Sequence, residues 1–179
     1  MKLNKIVLGI TLVFGIAAFS QAATDPTADL GHGTVTFTGS IIDAPCSIDS
    51  GTIDQTVDLG PVSKVALDNK GTYTPKDFKI KLEKCNIGDK GKSVTAKFTG
   101  AEGNTTGLLG ITGTAAGASV VMKDGKGELI ELGKSSDAQK LQNGNNTLLF
   151  SAYLQGNGAS GGVVPGDFSS VANFTLDYQ

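Results

Sequence analysis

The chain has 179 residues with 15 basic and 17 acidic side chains, a formal net charge of −2 at pH 7. Every basic residue is lysine and neither arginine nor tryptophan occurs, which excludes the basic, arginine-bearing face expected of a nucleic-acid binder. With 25 glycines and few helix formers between short alternating runs, the composition points to an antiparallel all-β chain.

The N-terminus reads as a secretory signal. Lys2 and Lys5 precede an apolar run over residues 6–19, and Ser20-Gln21-Ala22 supplies small residues for cleavage after Ala22. A membrane anchor would need about twenty apolar residues, and this run ends sooner, in polar Thr24-Asp25-Pro26. Removing residues 1–22 leaves 157 of the 179 residues, enough for one domain, and takes the formal charge from −2 to −4.

Residues 23–30 are polar and irregular. Gly31, Gly33, Val35 and Phe37 then fall on one face of an alternating stretch, the period of a β-strand. A glycine in such a stretch marks a close approach of another backbone. Further strands are predicted over residues 34–42, 52–59, 77–84, 93–99, 118–123, 128–132, 147–155 and 170–179, with a single helical turn over 63–69. In 77–84, Phe78, Ile80 and Leu82 alternate with Lys79, Lys81 and Glu83; in 147–155, Leu148, Phe150, Ala152 and Leu154 form the inner set. Eight short strands in this length suit a β-sandwich.

Cys46 and Cys85 are the only cysteines. In an exported chain an even count reads as a disulfide, and two allow one pairing. Closing that loop stabilises the fold by roughly 3–4 kcal/mol on the chain-entropy model. A metal site needs more ligands, and the sole histidine, His32, is distant in sequence from both thiols. No metal or cofactor is expected.

Catalytic patterns are missing. There is no Gly-x-Ser-x-Gly elbow and no His-Glu-x-x-His pattern. Gly156-Asn-Gly-Ala-Ser-Gly161 matches the dinucleotide fingerprint by letters, but Gly162-Val-Val-Pro-Gly166 follows and cannot start the helix that would hold a pyrophosphate. It reads as an inter-strand loop. The sequons at Asn104, Asn145 and Asn173 are chance-level matches in a chain rich in Gly and Asn.

The chain's last residues alternate to the terminus. Ala172, Phe174, Leu176 and Tyr178 point one way; Asn173, Thr175, Asp177 and Gln179 point the other. Chain ends fray unless tied down, and a strand that ends with the chain must have its edge paired, buried or used for assembly.

Phe37-Thr-Gly-Ser-Ile-Ile-Asp-Ala-Pro-Cys-Ser-Ile48, the second cysteine in Leu82-Glu-Lys-Cys85, and Phe168-Ser-Ser-Val-Ala-Asn-Phe-Thr-Leu-Asp-Tyr-Gln179 together resemble chaperone–usher pilus subunits, especially major pilins of the type 1 and P-pilus kind. The resemblance implies an immunoglobulin-like β-sandwich that lacks its last strand and is completed by a donor strand from another subunit. On that pattern residues 1–22 are the signal, 23–37 the donor extension and 38–179 the pilin domain. Val35 and Phe37 would be the apolar plugs and Gly33 the residue that must be small; Gly31 is equally empty, and Leu30 falls out of register. Ala172, Phe174, Leu176 and Tyr178 would wall the groove, and a periplasmic chaperone would fill it and hold the carboxylate of Gln179 before an outer-membrane usher admits the next subunit.

The resemblance thus implies a non-catalytic structural subunit of a surface fimbria, a homopolymer supporting cell adhesion. The alternatives are a minor adaptor or anchor subunit of the same system, or an exported carbohydrate-binding sandwich. The last would want exposed aromatic platforms, whereas Tyr73, Tyr153 and Tyr178 are scattered.

Overall fold

A computed structural model describes residues 31–89, 91–158 and 162–179. The signal, residues 23–30 and part of the Gly156–Gly161 loop lie outside the described residues. The chain divides into an N-terminal unit, Met1–Ser40, and a body, Ile41–Gln179.

In the N-terminal unit, residues 31–40 form no strand and are exposed. The strand expected over 34–42 is absent, although the alternation is there: extended backbone is stabilised by a ladder partner, and no strand among the described residues pairs with 34–42. Val35 is 74% and Phe37 89% exposed, and the space around Gly31 and Gly33 is open.

Among the described residues the body has eleven strands: β1 Ser47–Ile48, β2 Lys76–Cys85, β3 Ser93–Gly100, β4 Leu109–Gly110, β5 Thr112–Gly113, β6 Ala118–Asp124, β7 Leu129–Ile130, β8 Gln139–Lys140, β9 Gly144–Gly156, β10 Phe168–Ser169 and β11 Ala172–Tyr178. One sheet runs β1-β2-β9-β6-β4, with β7 also on β6; a second runs β11-β3-β8; β10 and β5 form a small ribbon. All these pairings are antiparallel. The helical turn expected over 63–69 is α1, Lys64–Leu67, followed by a 3-10 turn, Asp68–Lys70. The strand expected over 52–59 does not form: a 3-10 turn, Ser50–Thr52, leads into chain without regular structure.

The inner faces of the two sheets meet in one core. Ile80 and Leu82 of β2, Leu148, Phe150 and Leu154 of β9, Val120 and Met122 of β6, and Val94, Ala96 and Phe98 of β3 are buried in it. Its centre is aromatic: Phe98 stands edge-on to Phe78 at 6.1 Å and to Phe150 at 5.3 Å, while Phe78 stacks on Phe150 at 5.4 Å, geometries that suit the ring quadrupole. Cys46 and Cys85 are joined by a disulfide and buried at the edge of this core. The bond ties the start of the body to the end of β2.

Candidate assembly cleft

Strand β11 is an edge. It pairs with β3 in unbroken register from Ala172 opposite Gly100 to Tyr178 opposite Val94, and among the described residues with no other strand. Gln179 and Ser93 exchange both main-chain hydrogen bonds, each 2.9 Å. Bonded and non-bonded pairs alternate along an antiparallel ladder. Counting back from Gln179, the residues bonded to β3 are Asp177, Thr175 and Asn173. Ala172, Phe174, Leu176 and Tyr178 therefore turn their N–H and C=O groups to the open edge. The burial pattern of β11 alternates in the same phase, with these four half-buried and the residues between them exposed. One set of residues thus presents both an unpaired backbone and an incompletely covered apolar face.

Beside that edge the core is open. A cleft of about 1140 Å³ runs in from the surface, floored by Phe78, Ile80, Phe98, Val120, Met122, Ala152 and Leu154. Residues 163–172 and Phe174 form one wall, and Ile53, residues 55–62, Lys64 and Leu67 line the other side. The second wall is extended chain with half-buried Val57 and Leu59 between exposed Thr56 and Asp58. Among the described residues, 53–62 make no main-chain bond to another strand; Asp58 only caps the amide of Gly60 at 2.8 Å. The free edge of β11 and a second wall without a ladder among the described residues flank an apolar floor, the arrangement left when one strand is removed from a sandwich.

Of the residues expected to wall a groove, Ala172 and Phe174 line the cleft. Leu176 and Tyr178 are outside that lining but pack half-buried on the core. Burial pushes the Tyr178 phenol above its ordinary pKa. The second wall was legible only as a strand, from the alternation at Val57 and Leu59. Val163, Val164 and Phe168 were missed because Gly162, Pro165 and Gly166 break any period around them. The groups of His, Cys, Asp and Glu that would hold a metal are absent among the described residues.

This open-edged all-β body is the fold of pilus subunits. The family model for fimbrial proteins matches residues 35–179, and the chain belongs to that family. It is 53% identical over 180 residues to the Fimbria A protein of Serratia marcescens and 50% identical over 181 residues to the Major MR/P fimbria protein of Proteus mirabilis, with 100% of each chain covered in both cases. Among solved structures, the P pilus rod subunit PapA superposes with TM-score 0.68 at 35% identity, over 76% of this chain and all of that one. A chaperone–usher pilus subunit from a study of rod uncoiling gives 0.75 at 36% identity, over 86% of this chain and 99% of that one. The chain is accordingly a structural pilin of the major-subunit kind, a component of surface pilus polymers with an immunoglobulin-like sandwich, and not an enzyme.

Proposed function

We propose that the cleft and the free edge of β11 accept a donor strand from another copy of this chain. The observation that carries the reading is the phase of β11: Ala172 and Phe174, which line the cleft, belong to the set whose main-chain groups face the open edge. An incoming strand then gains ladder bonds and side-chain burial together, which is strand addition to a sheet edge. The donor is residues 23–37, with Val35 and Phe37 entering the cleft and Gly31 and Gly33 allowing close approach. Each buried apolar side chain contributes about 1.5–3 kcal/mol. The exposure of Val35 and Phe37 in the free subunit is that of groups awaiting a partner.

Before assembly the same edge needs protection, since an open apolar edge aggregates. In this reading residues 1–22 direct export and are removed, and a periplasmic chaperone lays its own strand along Ala172, Phe174, Leu176 and Tyr178 and holds the carboxylate of Gln179. An outer-membrane usher exchanges that strand for the donor of the next subunit, and the fibre emerges at the cell surface, where it supports adhesion.

Deleting residues 23–33 tests the donor. The expected product is a folded, chaperone-bound subunit that adds no further subunits; fibres of normal length from this variant would refute the assignment.

A further inference from the structure

Seven of the ten exposed large apolar side chains among the described residues fall into two sets. Val35, Phe37, Ile41 and Ile42 lie in the chain ahead of β1. Ile53, Val164 and Val171 line the assembly cleft. A donor of residues 23–37 accounts for Val35 and Phe37. It leaves Ile41 and Ile42 uncovered on one side of the junction, and Val164 and Val171 on the other.

The rim that carries the two valines is pinned in place. Val164 and Ala116 exchange main-chain hydrogen bonds of 2.9 and 3.2 Å. Phe168 and Ser169 pair with β5, and the Ser170 hydroxyl donates to the Gly110 carbonyl at 2.6 Å. Val163 is buried in the core while its neighbour Val164 is exposed. The fold therefore holds Val164 and Val171 outward at fixed points, and exposed apolar groups held in this way mark a contact surface.

We propose that Ile41 and Ile42 pack on Val164 and Val171 of the subunit that accepts their donor strand, a second contact between two copies of this chain. This contact presupposes the donor reading above and follows from the direction of the strand. The strand pairings of the body are all antiparallel. A donor added in the same sense runs opposite to β11 and leaves the cleft beside Ala172, the first residue of that strand. Val171 is the residue just before it. Ile42 is five residues on from Phe37, within about 18 Å of it at full extension. Gly39 lies between them in open space and gives the chain freedom to turn from the cleft to the rim. Covering both apolar pairs together removes them from water, which favours the contact. It forms only after the donor is seated, so it sets the angle between successive subunits and does not select the partner.

The test uses fimbriae in which p-benzoylphenylalanine replaces Phe37 or Ile42 in a minority of subunits, the rest being wild type. After irradiation, covalent dimers are isolated under full denaturation and their linked peptides identified by mass spectrometry. Position 37 is expected to link to the cleft floor or β11, and position 42 to residues 163–171 of the other subunit. Val171→Ser in the majority subunits should lower the yield from position 42 severalfold and leave that from position 37 unchanged. Links from 37 into the cleft with none from 42 to residues 163–171, or a yield from 42 indifferent to Val171→Ser, would overturn this contact and leave the donor reading standing. No link from 37 into the cleft would overturn both.

Discussion

Gln179 and Ser93 exchange two main-chain hydrogen bonds of 2.9 Å, and this pair sets the phase of the entire edge strand. Because the terminal residue is bonded inward, the residues one, three, five and seven places before it face outward. A one-residue slip in this register would turn the main-chain groups of Asn173, Thr175 and Asp177 to the free edge and carry their polar side chains onto the inner face.

Removing Asn173 to Gln179 is expected to abolish capture by the chaperone, because it deletes three of the four outward-facing residues and the terminal carboxylate. Co-purification of tagged chaperone with the truncated subunit measures this. Recovery of an intact complex would place the chaperone contact elsewhere.

Phe98 and Phe174 sit 6.4 Å apart on adjacent strands but differ in burial, 3% exposed for Phe98 against half-buried for Phe174. Phe98→Ala should destabilise the subunit by about 3–5 kcal/mol, since it empties the centre of the aromatic core. Phe174→Ala should cost the free subunit less and slow fibre growth more, because its ring becomes fully covered only when a strand fills the cleft. Denaturant unfolding of the subunit and polymerisation rate, measured on both variants, separate the two roles; equal losses in both assays would deny Phe174 its part in the cleft.

The long strands were legible because each keeps one face in the core: β2, β6, β9 and β11 all show the predicted alternation or apolar run, and their ends moved by at most a few residues. Of the two-residue strands only β7 was anticipated, inside the strand expected over 128–132; β1, β4, β5, β8 and β10 were not, since two residues carry no period. The disulfide followed from having only Cys46 and Cys85 to pair. Residues 34–42 and 52–59 have strand periodicity and no strand, and the reason is common to both. Periodicity records which side chains are to be buried, whereas a strand also needs a ladder partner, and neither segment has one among the described residues.

Lys84 adopts φ +52° where the register between β2 and β9 shifts, between Leu82 and Cys85. A left-handed conformation costs a residue with a Cβ roughly 1–2 kcal/mol and glycine almost nothing. Lys84→Gly should therefore raise subunit stability by about 0.5–1 kcal/mol after the greater flexibility of the unfolded chain is included. Urea unfolding with the disulfide intact measures it, and a loss of stability would show that the lysine side chain compensates for its backbone.

Burial raises the pKa of the Tyr178 phenol above its ordinary value near 10. As pH rises past the unfolded value, the unfolded chain loses its phenolic proton first while the folded chain retains it. The unfolded state then binds fewer protons, so stability falls with increasing pH until the folded group also ionises. The contribution is fully present below about pH 10 and is lost above it. Tyr178→Phe should flatten that part of the stability curve. Unfolding midpoints of the two proteins from neutral to strongly alkaline pH provide the comparison, and parallel curves would show that the Tyr178 proton is not linked to folding.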